Sequence, residues 1–195
     1  MGFELVVIGC SWGGLAALNT IFAGLPAGLD VAIAVAQHRM AQSGDGLAGS
    51  LQKHSLLPVS DAEDKTPIVP GTIYLAPPDY HLIVEPGSFA LSTERAVQYA
   101  RPSIDVLFES AADSYADRLV GVILTGANDD GAAGLKHVRE RGGRAIIQDP
   151  SSAVRPEMPA AALAAVRSAR ILPLESIASY LVELCGRGVA ATGDR

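Results

Sequence analysis

The sequence is poor in cysteine and in aromatic residues, and it has no excess of basic charge. Cys10 and Cys185 are the only cysteines in 195 residues, which excludes a disulfide scaffold and indicates a reducing compartment. Lys and Arg total 15 against 21 Asp and Glu, giving a net charge of −6. Because nucleic-acid binding needs a basic face that neutralises phosphates, we expect no nucleic-acid partner.

The sequence also lacks a convincing membrane span or signal peptide. Residues 5–29 carry no charge, but glycines, Pro26 and Asn19 interrupt this stretch. Glu4 lies where a signal peptide has positive charge. We therefore expect a cytoplasmic protein.

The apolar content is 49%, which is enough to build a buried core within one domain. Several short apolar runs do not alternate with polar residues, as is typical of parallel strands buried on both faces. These predicted strands are residues 4–8, 31–36, 119–124, 144–147 and 169–172. Predicted helices follow or separate them at residues 13–23, 102–115, 130–141, 159–166 and 176–185.

The middle of the chain has a different pattern. Four short apolar runs, at residues 58–59, 72–75, 81–84 and 89–91, are separated by Pro, Gly and Asp, which favours hairpins. The predicted fold is α/β: a doubly wound, mostly parallel sheet with helices on both faces and an antiparallel hairpin region at one edge. One domain is expected over residues 1–187, with a C-terminal tail at 188–195.

The segment Gly9-Cys10-Ser11-Trp12-Gly13-Gly14 follows the first predicted strand and opens a helix. A serine between glycines on such a turn resembles the nucleophile elbow of hydrolases. The helix N-terminus behind it offers N–H groups that can stabilise an oxyanion. The alternative is a phosphate-binding glycine turn, although the G-x-G-x-x-G spacing is absent. This motif alone leaves both interpretations open.

A nucleophilic serine needs a base and an orienting acid. His38 follows the second predicted strand, so it is expected at the same sheet edge as Ser11. The strand at 119–124 delivers Asp129 and Asp130 to that edge, where either could orient the histidine or simply cap a helix. The remaining histidines, His54, His81 and His137, have no comparable placement.

Several blocks, in order along the chain, resemble the catalytic domain of the CheB-type chemotaxis receptor methylesterases. The blocks are Gly9-x-Ser11-x-Gly13-Gly14, Gln37-His38, Gly71-x-Ile73-Tyr74-Leu75-Ala76-Pro77, Arg101-Pro102-Ser103-x-Asp105-Val106-Leu107-Phe108, Gly121-Val-Ile-Leu-Thr-Gly126, Asp130-Gly-Ala-Ala-Gly134, Gln148-Asp149 and Met158-Pro159. The resemblance covers residues 3–185. It implies a Ser-His-Asp hydrolase that cleaves glutamyl methyl esters on receptor helices and deamidates glutamines.

By matching position, the resemblance implies a triad of Ser11, His38 and Asp130. It implies that the backbone N–H groups of Trp12 and Ala127 hold the oxyanion, and that Arg101 binds substrate unless it is an ordinary surface cation. The implied partners are the cytoplasmic helices of methylated chemoreceptors, so the membrane is met only indirectly. No cofactor is expected, and no spacing of His, Cys and Asp predicts a metal site.

The sequence departs from the family pattern close to the predicted site. Trp12 replaces a threonine, Arg39-Met40 replaces Met-Pro, and Ala127-Asn128 replaces Met-Gly. No receiver domain precedes the catalytic blocks, which predicts a stand-alone enzyme or a fragment of a longer one. Two alternatives stay open: a hydrolase of the same fold acting on another ester or amide, and a non-catalytic binding module.

Overall fold

A computed structural model describes residues 2–39 and 46–186. A seven-stranded sheet forms its centre, and its strands are β1 (Leu5–Cys10), β2 (Ala32–Gln37), β3 (Val59–Asp61), β4 (Ile73–Leu75), β7 (Leu119–Ile123), β8 (Arg144–Gln148) and β9 (Arg170–Leu172). A separate hairpin consists of β5 (His81–Glu85) and β6 (Ser88–Ser92). The helices are α1 (Gly14–Ala23), α2 (Gly46–Gln52), α3 (Ile104–Tyr115), α4 (Ala132–Glu140), α5 (Glu157–Ala165) and α6 (Leu174–Cys185), with 3₁₀ turns at Ala116–Arg118 and Pro150–Ser152.

The sheet order is β3-β4-β2-β1-β7-β8-β9, and every neighbouring pair is parallel. From β1 the chain proceeds to β2 on one side and later returns to β7 on the other. The strand order therefore reverses around β1. In open parallel sheets, the crevice beyond the carboxyl ends at such a reversal is the usual place for a functional site.

Helices cover both faces of the sheet, because the strands are apolar on both sides. Leu5 and Val7 pack into a core with α3, α4, α5 and the hairpin, while Val6 and Ile8 pack into a second core with α1, α2 and α6. This alternation along β1 follows from the two-residue period of a strand. The prediction of a mostly parallel sheet with helices on both faces is confirmed.

The interpretation of the middle segments was partly wrong. β5 and β6 do form an antiparallel hairpin, but β3 and β4 join the main sheet in parallel register instead of forming hairpins. The hairpin packs against α3 in the first core. A three-residue strand contains too little pattern to reveal its pairing, because its partner is chosen by tertiary packing.

The long uncharged segment near the N-terminus does not form a membrane-spanning helix. None of the helices described is long and apolar enough to cross a membrane, and residues 5–29 contain β1 and α1 instead. The predicted domain boundary at residue 187 and the predicted tail lie outside the described residues.

Candidate active site

The site is built at the carboxyl ends of β1, β2 and β7. The N–H of His38, just beyond β2, donates to the carbonyl of Cys10 over 3.0 Å, and the N–H of Ser11 donates to the carbonyl of Thr125 over 2.9 Å. These backbone hydrogen bonds hold Ser11 between the other two strand ends. The structure thus brings the predicted nucleophile and base to the same edge.

The turn after β1 is fixed by several contacts. Gly13 has φ +83°, a conformation that favours glycine, and a Cβ there would come within 2.9 Å of Cβ of Val154. The hydroxyl of Thr125 donates to the carbonyl of Trp12 over 2.9 Å. The side chain of Trp12 points outward and is 68% exposed. A rigid backbone therefore presents Ser11 beside an exposed aromatic ring.

The hydroxyl of Ser11 makes no hydrogen bond to any other described residue. The absence of this bond does not argue against Ser11 as a nucleophile, since catalytic hydrogen bonds are often long in a free enzyme and tighten only in the complex. Backbone hydrogen bonds thus hold the segments of Ser11 and His38 next to each other, but no hydrogen bond joins the two side chains.

His38 is bonded to a buried carboxylate. Its Nε2 lies 2.6 Å from Oδ2 of Asp130, whose side chain is fully buried, whereas the His38 ring is 13% exposed. Because an ionised carboxylate only accepts hydrogen bonds, Nε2 carries the proton. Nδ1 of the neutral ring is then the nitrogen with a free lone pair. It is the atom available to take a proton from a nucleophile.

The N-terminus of α3 surrounds the Asp130 carboxylate with donors. Oδ1 accepts from the hydroxyl of Ser103 and from the N–H of Asp105, both over 3.0 Å, and Oδ2 accepts from the N–H of Ile104 over 2.7 Å. Burial alone would raise the pKa of Asp130. The hydrogen bonds from His38 and the backbone of α3 outweigh it, so its pKa lies below its usual value. The carboxylate is therefore kept charged where it faces His38.

Asp105, at the N-terminus of α3, accepts hydrogen bonds in turn from the N-terminus of α4. Its Oδ1 accepts from the N–H of Gly131 over 2.9 Å and of Gly134 over 2.7 Å. Asp130 thus caps α3, and Asp105 caps α4, so the two helices hold each other at the site. Burial raises the pKa of Asp105 to about 6, and the neighbouring Asp130 adds to this increase.

Two backbone N–H groups near Ser11 are open. Neither Trp12 nor Ala127 donates its N–H to an acceptor within the described part of the chain. A Cβ added to Gly126, the residue before Ala127, would lie 3.0 Å from Cβ of Ser11. Both groups therefore lie near Ser11, and donors so placed can stabilise a developing oxyanion.

Arg101 is held by the protein itself. Its Nε and Nη2 donate to Oδ1 of Asp79 over 3.0 and 2.5 Å, and its Nη1 donates to the carbonyls of Thr93 and Glu94 over 2.8 and 3.0 Å. These contacts give the guanidinium a structural function in joining two loops. Its predicted role in substrate binding stays a prediction.

Arg39 lies immediately after the predicted base. Its side chain is 7% exposed, and Nη2 donates to Oδ1 of Asp61 over 2.9 Å and to the carbonyl of Ala76 over 2.8 Å. Arg39 thus links the end of β2 to the ends of β3 and β4. Its neighbour Met40 lies outside the described residues.

Ser103, Asp105 and His81 adjoin the site, although the sequence analysis assigned none of them a role in it. Ser103 had a usable signal, because a serine before an apolar helical run is a typical N-cap, and its hydroxyl accepts from the N–H of Val106. No sequence pattern shows that this cap also reaches Asp130. In the part of the chain that the structure describes, no group of three His, Cys, Asp or Glu side chains is placed to hold a metal ion.

One edge of the parallel sheet thus has the parts of a serine hydrolase with an α/β fold. These parts are a serine on a strand-to-helix turn, a histidine bonded to a buried aspartate, and two open N–H groups. The sequence matches the model of the CheB methylesterase family over residues 6–181. This chain belongs to that family.

Individual relatives agree with this assignment. A Leptospira interrogans protein with the provisional name protein-glutamate methylesterase/protein-glutamine glutaminase is 44% identical over 94% of this chain and 96% of its own length. The protein-glutamate methylesterase FrzG of Myxococcus xanthus is 40% identical over 93% of this chain but only 54% of its own length. The crystal structure of the Thermotoga maritima CheB methylesterase catalytic domain has a TM-score of 0.89 at 34% identity, covering 94% of this chain and 100% of that domain.

Proposed function

We propose that this protein is a protein-glutamate methylesterase, which hydrolyses glutamyl methyl esters of chemoreceptors and releases methanol. The same site would deamidate receptor glutamines and release ammonia. The observation that carries the proposal is the His38–Asp130 pair beside the unengaged hydroxyl of Ser11. The names of the relatives supply the substrate class.

The geometry supports a two-step reaction. Oγ of Ser11 attacks the ester carbonyl carbon as Nδ1 of His38 takes the hydroxyl proton, and the N–H groups of Trp12 and Ala127 stabilise the oxyanion. The carbon–oxygen bond to the methoxy group then breaks, and His38 returns the proton so that methanol leaves. Water then attacks the acyl-enzyme as His38 takes one of its protons, the bond between the acyl carbon and Oγ of Ser11 breaks, and His38 returns the proton to Oγ as the glutamate product leaves.

Asp130 stabilises the imidazolium that forms in each step. Because its four hydrogen bonds hold it ionised in a buried site, it keeps Nε2 protonated and Nδ1 facing away from the carboxylate. No cofactor takes part in these steps.

The proposed partner is the helical cytoplasmic part of a methylated chemoreceptor, and the proposed location is the cytoplasm. An exposed rim next to Ser11 supports a protein substrate: Trp12 is 68% exposed and Val154 is 64% exposed. An apolar rim of this kind can pack against the apolar side of a helix that presents the ester.

The test is methanol release from radiolabelled, methylated membranes of the cell of origin. Ser11→Ala should lower the rate by several orders of magnitude, up to about 10⁶-fold by analogy with other triads, with unchanged circular dichroism. Ser179→Ala, in which an exposed hydroxyl on α6 is lost, is the matched control and should retain the rate.

Near-normal release by Ser11→Ala would contradict the assignment of the nucleophile. Rapid hydrolysis of small esters without methanol release from the membranes would favour a hydrolase with a different substrate. Failure of a fluorophosphonate probe to label Ser11 would favour a non-catalytic binding module.

A further inference from the structure

A second histidine, His81, contacts Ser103, one of the residues that donate to the Asp130 carboxylate. His81 is the first residue of β5 and is only 2% exposed. Its Nδ1 accepts from the N–H of Ser103 over 3.2 Å, and its Nε2 contacts the carbonyl of Arg95 over 3.1 Å. Because Nδ1 faces a donor and Nε2 faces an acceptor, the ring is neutral with its proton on Nε2.

Ser103 connects this ring to the carboxylate. It is fully buried at the N-cap of α3, and its hydroxyl has a single proton, which goes to Oδ1 of Asp130. The hydroxyl oxygen of Ser103 also accepts from the N–H of Val106, and the backbone N–H of Ser103 donates to Nδ1 of His81. Both polar groups that Ser103 can donate are therefore engaged, so its orientation is determined from two sides.

Ser103 therefore links two sets of hydrogen bonds: its N–H bonds His81, which contacts the carbonyl of Arg95, and its hydroxyl bonds Asp130, which contacts His38. We propose that Ser103, oriented by neutral His81, is a positioning residue that sets the orientation and the basicity of Asp130 and, through it, those of His38. This inference concerns the machinery of the proposed hydrolase and rests on Ser11 being its nucleophile.

Ser103 can affect the basicity of His38 because it donates a hydrogen bond to the buried, charged carboxylate of Asp130. Each donor to Asp130 withdraws charge from it, so the loss of the Ser103 hydroxyl makes the carboxylate a stronger hydrogen-bond acceptor toward Nε2 of His38. The imidazolium becomes more stable as a result, and neutral His38 is available only at higher pH. Simple loosening of the site would act the other way, since a displaced Asp130 would stabilise the imidazolium less.

The charged groups that face this network are Asp130 and Asp105, and a Ser103→Ala variant retains both. The test is the rate at which a fluorophosphonate probe labels Ser11 in the full chain, measured across a range of pH. In that reaction Ser11 Oγ attacks phosphorus, fluoride leaves, and His38 takes the hydroxyl proton. Labelling does not depend on the natural substrate, so it separates this proposal from the assignment to receptor esters.

We expect the acid limb of the Ser103→Ala profile to shift upward by about half a pH unit to one unit, so that below this limb the variant labels roughly three- to tenfold more slowly than the wild type. Ser110→Ala is the matched control for a lost hydroxyl between α3 and β5, because the Ser110 hydroxyl donates to the carbonyls of Val106 and Leu107 and accepts from the N–H of Val84 but does not contact Asp130. Its rate and profile should equal those of the wild type.

Two variants of His81 test the second link. His81→Asn places an amide oxygen near the Nδ1 position and can still accept from Ser103, whereas His81→Gln reaches toward Arg95 and loses that acceptor. We expect labelling of the Asn variant to be at least fivefold faster than that of the Gln variant, on the scale of one hydrogen bond.

The proposal is overturned if Ser103→Ala has the rate and the profile of Ser110→Ala, or if its acid limb shifts downward. Equal labelling of the two His81 variants would remove His81 from the proposal. If neither His81 variant folds, as judged by circular dichroism, the comparison of Ser103→Ala with Ser110→Ala still decides the role of Ser103.

Discussion

Asp105 illustrates how a single buried residue links the site to stability. Its carboxyl is 5% exposed and lies against the N–H groups of Gly131 and Gly134, close to the charge of Asp130. Burial raises its pKa from the ordinary value of 3.8 to about 6, so it takes up a proton in the folded protein at a pH where the unfolded chain is ionised. The folded state binds more protons in this range, and its stability therefore falls as the pH rises through it.

We predict that Asp105→Asn becomes more stable relative to the wild type as the pH rises from about 4 to about 7. The variant lacks the titration of Asp105, while its amide oxygen can still accept from Gly131 and Gly134. The measurement is the free energy of unfolding in urea at several pH values. The informative quantity is the difference between the two proteins at each pH.

Asp113→Asn is the matched control with the opposite sign. Its hydrogen bond with His137 lowers the pKa of Asp113, with a contribution from Arg141, so this carboxylate stabilises the fold above its ordinary pKa and loses that effect as the pH falls. The Asn variant should therefore lose stability relative to the wild type as the pH rises. A flat difference for Asp105→Asn, or one with the slope of Asp113→Asn, would show that Asp105 does not titrate as described.

At the residue scale, placement after the strands of one parallel sheet predicted Ser11 and His38 at the same edge but left Asp129 and Asp130 as alternatives, and the family resemblance selected Asp130. The structure brings these strand ends together and bonds His38 to Asp130. Ser103 and Asp105 could not be predicted as parts of the site. They reach it only because α3, a separate element, packs its N-terminus onto the end of β7, and no local pattern encodes that contact.

At the scale of elements, the site depends on the close approach of α3 and α4. Gly134 of α4 lies against α3, and a Cβ there would come within 2.7 Å of Cβ of Phe108 and 3.0 Å of Cα of Asp105. Since one of these contacts is with backbone, a side chain would push the two helices apart. The reciprocal caps made by Asp105 and Asp130 span this same interface.

We predict that Gly134→Ala destabilises the protein by about 1–3 kcal/mol, as expected for overpacking a closely packed interface. It should also slow the labelling of Ser11 by a fluorophosphonate, because displacement of α3 moves the donors away from Asp130. Urea unfolding measures the first effect and labelling kinetics the second.

Gly49→Ala provides the comparison for an exposed helix. Gly49 lies within α2, and a Cβ there would meet nothing within 4 Å. This change should be neutral or stabilise the protein by roughly 0.5–1 kcal/mol through helix propensity. If Gly134→Ala were as stable and as reactive as Gly49→Ala, the spacing of α3 and α4 would not control the site.

At the element scale, the length of a strand determines how much of its pairing can be predicted from the sequence. β1, β2, β7 and β8 have five or six residues each, and their apolar runs predicted both their existence and their parallel pairing. β3 and β4 have three residues each, and nothing in so short a run distinguishes an added parallel strand from an arm of a hairpin. Their pairing is decided by the sheet edge onto which they pack.

At the scale of the whole molecule, the reversal of strand order around β1 concentrates the chemistry at one edge. Ser11 and its neighbours occupy the carboxyl edge, and a separate groove, lined by Phe3, Glu4 and Asp30 among others, lies at the amino edge. We therefore expect the proposed protein substrate to approach from the carboxyl side. There it meets Trp12 and Val154, whose exposure exceeds that of most apolar residues in the described structure.

Val154 allows this approach to be tested by a matched pair of variants. We predict that Val154→Ser raises the KM for a methylated receptor fragment several-fold with little change in kcat, because it removes apolar contact area outside the reacting groups. Val69→Ser is the control, since Val69 is 50% exposed but lies next to Pro70 at the amino edge. An equal effect of both substitutions, or a loss confined to kcat, would contradict docking across the carboxyl edge.

Trp12 offers an optical measurement of the same event, because it is the only tryptophan in the chain and stands directly beside Ser11. Its ring is already mostly in water, so unfolding in urea should change its emission far less than it changes circular dichroism. Binding of a methylated receptor fragment to Ser11→Ala, which cannot turn it over, should instead bury the ring and shift its emission to shorter wavelength. Trp12→Phe removes the signal and serves as the blank for fluorescence of the fragment. If calorimetry detects binding while the emission of Trp12 stays unchanged, the fragment does not cover the rim beside the nucleophile, and the proposed direction of approach is wrong.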